Sequence, residues 1–144
     1  MQGVIFHVPG KPQGKARART VYNKNLNHSV SYTPDNDLLY ENLIKTMYIQ
    51  HAKGVRFDKE VPVKLSIVAR FLPPKSTSKK KQQQMLSGEV LPLKKPDMDN
   101  IVKVVADALN GVAYHDDTQI ASVTAKKVYS AVEGLDIIVG EYAG

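Results

Sequence analysis

Acidic side chains recur at short spacing between residues 94 and 120. Asp97 and Asp99 are two residues apart, and the adjacent residues Asp116 and Asp117 follow further along the chain. Carboxylates that share one site repel each other unless a cation joins them. Oxygen ligands without neighbouring Cys or His donors favour Mg²⁺ or Mn²⁺ over zinc. This spacing therefore predicts a divalent-cation site, in which His115 is interpreted as a bystander.

The distance along the chain allows the two acidic pairs to meet. A helix over residues 99–110 would be about 16 Å long. After a turn at Gly111, an extended return over residues 112–117 covers about 17 Å. We therefore expect Asp117 to come back beside the start of this helix. Asp97, Asp99 and Asp117 would then converge as metal ligands.

The helix itself also has a purely structural interpretation. An Asp at a helix start is an ordinary N-cap and interacts favourably with the helix dipole. Lys103 is spaced for i,i+4 ion pairs with both Asp99 and Asp107, and Asp107 fits an ion-pair partner. For the helix alone, this structural interpretation is favoured over a metal site. The second acidic pair, Asp116 and Asp117, makes the metal site the favoured interpretation.

A carboxylate-bound Mg²⁺ in a basic protein points to phosphodiester chemistry. Such a metal activates water, polarises a phosphate and stabilises the leaving oxygen. Lys103 would bind a phosphate oxygen or orient the attacking water. That role requires that Asp107 does not neutralise the Lys103 ammonium.

The charge and composition of the chain limit the classes of molecule that it is expected to bind. The chain has 144 residues, a net charge of +6 and no cysteine, which excludes disulfides, Cys-ligated zinc and thiol nucleophiles. We find no signal peptide, membrane span or Gly-rich phosphate loop, so we expect a soluble cytoplasmic protein without a nucleotide cofactor. Nucleic acid is the favoured partner. The candidate DNA contacts are Lys15, Arg17, Arg19, Lys75, Lys79, Lys80, Lys81 and Lys95.

Periodicity predicts the elements that position these residues. Strands are expected at 4–8, 61–72, 120–129 and 135–142, with a hairpin-like turn at 133–134; helices are expected at 34–52, capped by Thr33, and at 100–110. Residues 10–20 are predicted to be a loop or irregular arm. The order indicates an α+β fold: one two-layer domain over residues 1–144, with a mixed β-sheet and helices packed on one face.

The basic stretch at 75–95 leaves two alternatives open. Ser76 or Ser78 can cap a short helix that runs through Met85 and stops at Gly88. Composition alone favours a flexible, solvated loop.

The motif residues resemble the signature of the RusA family of Holliday-junction resolvases, which are bacterial and phage endodeoxyribonucleases. The matching runs are Lys95-Pro96-Asp97-Met98-Asp99-Asn100, Lys103, residues 107–111 (DALNG) and Asp116-Asp117-x-Gln119-Ile120. The resemblance is specific over residues 94–120. The basic arm and the PPKSTSKKK stretch are similar to basic segments of the family.

The resemblance implies an Mg²⁺-dependent homodimer that resolves four-way DNA junctions, since a two-fold dimer carries two sites for two symmetric nicks. It implies that Asp97, Asp99 and Asp117 bind metal and that Lys103 is catalytic, with Asp116 and Asp107 as second-rank candidates.

Two other function classes stay open, namely a non-catalytic module that binds branched nucleic acid and a cation-binding regulatory domain. Tyr32, Phe71 and Tyr114 are candidate wedges at a junction, but core packing is favoured for each.

Overall fold

The described part of the chain contains six strands, three α-helices and one 3₁₀ turn. The computed structural model describes residues 3–15, 19–23, 28–32 and 35–144. The elements are β1 (Gly3–Pro9), β2 (Arg19–Asn23), β3 (His28–Tyr32), α1 (Asp35–Ala52), β4 (Val63–Phe71), α2 (Lys79–Leu86), α3 (Met98–Leu109), the 3₁₀ turn (Asp117–Gln119), β5 (Ile120–Tyr129) and β6 (Gly134–Glu141). No helix in the described ranges is both long and apolar enough to cross a membrane.

The main sheet has the strand order β1-β6-β4-β5. β6 pairs antiparallel with β1 and β4, whereas β5 pairs parallel with β4. The sheet is mixed, as predicted, but the predicted hairpin between the last two strands is wrong. The connection between β5 and β6 crosses the end of β4, where Ser130 N donates to Phe71 O at 2.9 Å. Alternation within a strand shows which side chains share a face but does not identify the strand's neighbours.

The helices cover one face of this sheet and enclose the core. In β4, alternate residues from Val63 to Phe71 are buried, as period-two alternation requires. The apolar stripe predicted on α3 is confirmed, because Ile101, Val104, Val105, Ala108 and Leu109 are all buried. From α1, Tyr48 packs edge-on against Phe6 with ring centroids 5.6 Å apart. The predicted α+β class is confirmed.

The predicted irregular arm is interrupted by a small hairpin. β2 pairs antiparallel with β3 in a separate two-stranded sheet, with Val21 opposite Val30. The loop expected over residues 10–20 therefore ends earlier than predicted, because basic residues obscure a short strand signal. Thr33, the predicted cap of α1, lies outside the described residues.

The basic stretch contains a folded helix. The backbone N–H of Lys81 donates to the Ser78 hydroxyl at 3.3 Å, which caps α2, and Gly88 adopts a φ of 91° beyond its end. Met85 is the buried residue of this helix. The capped helix is confirmed at Ser78, and the flexible loop that composition favoured is wrong for residues 79–86. The average composition of this stretch is dominated by its lysines and does not reveal the Ser78 cap or the single buried residue, Met85.

Candidate active site

Asp97 is the N-cap of α3 by its backbone alone. Its carbonyl oxygen accepts from Ile101 N at 3.1 Å, but its side chain makes no capping hydrogen bond. The side chains of Asp97 and Asp99 are both exposed at this helix end. The structural explanation for Asp97 therefore accounts for its position and leaves its carboxylate available to another ligand.

The first part of the predicted arm, up to Lys15, packs against the start of α3. Lys15 N donates to Asn100 O at 2.8 Å. A Cβ on Gly14 would lie 2.8 Å from Asn100 Cβ and 3.0 Å from Pro96 Cβ, which only glycine avoids. An open cavity of about 460 Å³ lies between the two segments. Its lining is Lys11, Gln13, Gly14, Lys15, Lys95, Pro96, Asp97 and Asn100. Asp97 thus borders a groove with lysines on both sides, which we call the basic groove.

Lys103 and Lys15 share one carboxylate on α3. Asp107 Oδ2 lies 3.6 Å from Lys103 Nζ and 3.4 Å from Lys15 Nζ. Lys15 also donates to Glu41 Oε1 on α1 at 3.0 Å. Asp107 is therefore an ion-pair partner, as the structural interpretation expected. Lys103 keeps 63 % of its side chain exposed, against 15 % for Lys15.

The ion pairs hold Lys15 in its charged form. Burial lowers the pKa of Lys15, but the hydrogen bonds and negative charges of Glu41 and Asp107 outweigh burial and raise that pKa above 10.5. The ammonium of Lys15 is thus already paired, unlike that of a free lysine on a DNA-binding arm. Its predicted DNA contact stays a prediction.

A glutamine fixes the turn that carries the second acidic pair. Gln119 Oε1 accepts from His115 N at 2.7 Å and from Asp116 N at 3.1 Å. Its Nε2 donates to Asp58 O at 2.7 Å and to Val61 O at 3.1 Å. The D-x-x-Q spacing of residues 116–119 is a capping-box signal from which this role of Gln119 could be predicted. Gln119 therefore orients the 3₁₀ turn on which Asp117 sits.

Asp117 lies in a negative electrostatic environment. Burial raises its pKa above 3.8, and so do a hydrogen bond with Asp116 and the charges of Asp116 and Asp107, while the charge of Lys103 lowers it. Lys103 offsets only part of the repulsion at this carboxylate, and a bound cation would relieve more of it. Lys103 therefore acts electrostatically on Asp117 as well as on Asp107.

The three predicted metal ligands are not assembled into one cluster. Among residues 3–15, 19–23, 28–32 and 35–144, no group of three Asp, Glu or His side chains is placed to hold a metal ion. Val112 N and Ala113 N both bond to Leu109 O, so the chain leaves α3 through a turn and not along the extended path assumed from the sequence. The exposed carboxylates fit a hard divalent cation in donor type. Their roles as ligands stay a prediction.

The aromatic side chains near the site belong to the core. Tyr114 is fully buried and donates from its hydroxyl to Ala106 O at 2.7 Å. Burial, followed by the charges of Asp117, Asp107 and Asp116, raises its pKa. Phe71 is also buried. Core packing is thus confirmed for these two residues, and the Tyr32 side chain lies outside the described ones.

The lysines predicted to contact DNA lie before α2, at the start of α2 and in the loop before α3. Lys75, Lys79, Lys80, Lys81 and Lys95 are all exposed, as expected for phosphate contacts. Arg17 lies outside the described residues. Arg19 starts β2, and its side chain is likewise outside the description.

Exposed carboxylates lie at the start of α3, the exposed Lys103 lies on the same helix, and lysines lie beside them. This combination is typical of enzymes that process nucleic acids. The family model of endodeoxyribonuclease RusA matches residues 9–140. The chain therefore belongs to the RusA endodeoxyribonuclease family, which confirms the resemblance and implies a DNA-cutting hydrolase. It is also 28% identical over 141 residues to the uncharacterized protein YqaN of Bacillus subtilis (strain 168), a match that covers 98% of each chain.

Proposed function

We propose that this protein resolves four-way DNA junctions by metal-dependent phosphodiester hydrolysis, in DNA recombination and repair. The observation that carries the proposal is the uncommitted Asp97 carboxylate at the start of α3, beside the basic groove and six residues before the exposed Lys103. Family membership supplies the DNA-cutting activity.

Asp97, Asp99 and Asp117 are the residues proposed to hold the cation, with Mg²⁺ as the natural ion and Mn²⁺ as a substitute. When bound, the cation would supply Lewis-acid polarisation of the phosphate and charge stabilisation of the leaving oxygen. Lys103 is the proposed catalytic lysine. Its exposed ammonium can hydrogen-bond a phosphate oxygen and balance negative charge that develops on it.

The lysines proposed to bind the phosphate backbone lie on both sides of the acidic residues. Lys11 and Lys95 line the basic groove next to Asp97. The three consecutive exposed lysines at the start of α2 are proposed as further phosphate contacts. Phosphate contacts of this kind give salt-sensitive binding directed by DNA shape. With DNA as its substrate, the enzyme is proposed to work in the bacterial cytoplasm.

Paired nicks require two active sites related by symmetry. We propose a homodimer, in which one copy acts on each of two opposed strands. Analytical ultracentrifugation gives the mass of the protein in solution. A plasmid with an extruded cruciform gives linear product when both nicks occur in one encounter. A monomer that gives only nicked circles would contradict the dimer.

The activity is tested with one set of oligonucleotides. A labelled four-way junction, a linear duplex and a single strand of the same sequence are incubated with the protein in Mg²⁺, in Mn²⁺ and in EDTA. We expect cleavage of the junction only, and only with metal. Binding without cleavage in either metal would indicate a non-catalytic module. Thermal stabilisation by Mg²⁺ without DNA binding or turnover would indicate a cation-binding regulatory domain.

A further inference from the structure

We propose that Lys15 is a positioning residue for DNA cleavage, because it balances the charge of Asp107 and so leaves the Lys103 ammonium free to act on the phosphate. This inference rests on the proposed function and adds a residue to it.

Two lysines compete for one oxygen atom. Asp107 Oδ2 is 3.4 Å from Lys15 Nζ and 3.6 Å from Lys103 Nζ. The side chains of Lys15 and Asp107 are 15 % and 24 % exposed, whereas that of Lys103 is 63 % exposed. Water and salt screen an exposed pair more than a partly buried one. The Lys15 pair therefore takes up more of the charge of Asp107 than the Lys103 pair does.

Two helices, α3 and α1, fix Lys15 in this position. Its backbone is bonded to Asn100 at the start of α3, and Gly14 allows that close approach. Its ammonium bonds Glu41 on α1 at 3.0 Å, and the Glu41 side chain is only 13 % exposed. Glu41 and Asp107 thus provide two carboxylates for the two lysines. If Lys15 were removed, Asp107 would lose this partner, and Lys103 would be drawn more strongly to the Asp107 carboxylate.

The test is a double-mutant cycle on the intact protein, measured as single-turnover cleavage of a four-way junction together with junction affinity. Lys15→Met removes the charge and keeps most of the side-chain length. We expect it to lower the cleavage rate by about tenfold or more and to change the Kd less than about twofold. Adding Asp107→Asn to Lys15→Met removes the competing anion and should restore most of the rate, because Lys103 is released. Lys15→Arg should cleave close to the wild-type rate.

Lys64→Met is the matched control, since Lys64 is an exposed lysine on the sheet face turned away from the helices. It should leave rate and affinity unchanged. If Lys15→Met unfolds the protein, the triple variant Lys15→Met, Glu41→Gln, Asp107→Asn leaves no unpaired carboxylate at this position and should fold and cleave.

The alternatives give different results. A direct DNA contact by Lys15 predicts a weaker Kd and a smaller salt dependence that Asp107→Asn does not rescue. A purely structural role predicts a rate loss that follows the loss of Tm and is likewise not rescued. Wild-type cleavage by Lys15→Met would overturn the inference and leave the proposed function intact. A wild-type protein that cuts no junction in either metal would overturn both.

Discussion

The ammonium of Lys127 donates a hydrogen bond of 2.7 Å to the carbonyl oxygen of Lys94. Lys94 precedes Asp97 in the loop that leads into α3, and Lys127 lies on β5, which begins directly after the turn that carries Asp117. The two acidic segments are therefore joined by a direct contact between their flanking elements. The ammonium also lies 5.9 Å from the centre of the Phe71 ring, which holds it in place.

Lys127→Met tests whether this contact positions the acidic residues. The substitution keeps the apolar stem over Phe71 and removes the hydrogen bond. We expect a cleavage rate lower by about tenfold, with a nearly unchanged Kd, because misplacement of a reacting group by about 1 Å is costly. Junction cleavage and affinity measured together provide the check. An equal loss of rate and affinity would instead indicate that Lys127 contacts DNA.

Asp97→Asn should abolish junction cleavage in Mg²⁺ while binding stays intact or tightens, because a negative charge near the phosphates is removed. The Asp97 side chain makes no capping bond, so we expect little change in Tm. Gel-shift binding and cleavage on the same labelled junction separate the two effects. Glu141→Gln, an exposed site at the end of β6, is the charge-matched control. Cleavage at the wild-type rate would remove Asp97 from the metal site.

Lys103→Ala should reduce the cleavage rate by about 10²-fold or more with little loss of junction affinity, as expected for a group that stabilises charge in the transition state. Single-turnover rates and Kd values are measured on the same preparation. A comparable loss in both would make Lys103 a binding contact. Its pairing with Asp107 is exposed, so we expect no more than a small change in Tm.

Asp117→Asn should stabilise the protein while it removes activity. The folded-state pKa of Asp117 lies above its ordinary value, so the charged carboxylate opposes folding at neutral pH and stops doing so once pH falls below about 3.8. We expect a Tm higher than wild type by about 2 °C at pH 7 and equal Tm values near pH 3. Mg²⁺ should raise the Tm of the wild type more than that of the variant. An equal response to Mg²⁺ in both proteins would argue against Asp117 as a ligand.

Replacing Lys79, Lys80 and Lys81 with Gln should weaken junction binding and leave cleavage of the bound junction unchanged. The slope of log K against log salt should fall by about 0.9 for each phosphate that a lysine no longer neutralises. The control replaces Lys64 and Lys126, which are exposed on the sheet face away from the helices, and the effects of the two sets are compared per lysine replaced. Equal effects in both sets would mean that only net charge matters, without a defined DNA surface on α2.

The periodicity of apolar residues predicted those helices and strands whose formation depends on the burial of one face. The α3 stripe from Ile101 to Leu109 and the alternation in β4 follow from burial of one face, so both could be read directly. The position of β6 between β1 and β4 depends on pairings between distant parts of the chain, which no single strand encodes.

The candidate site was predictable in its residue types but not in its contacts. The spacing of Asp97, Asp99 and Lys103 on α3 followed from the helical repeat. Glu41 pairs with Lys15 across 26 positions in the sequence, and no local signal marks that pair. The placement of Asp117 depends on the backbone turn after Leu109, where the assumption of an extended return failed.

The strand order also governs when a nuclease of this kind becomes competent during synthesis. β6 follows the other described strands in the sequence, yet it fills the place between β1 and β4 in the sheet. While β6 is still inside the ribosome, β1 has no partner in this sheet and α3 has no complete surface to pack on. Contacts between such distant segments form late. A fragment that ends before residue 134 lacks the strand that joins β1 to the rest of the sheet, so we expect it not to form the scaffold that the site requires.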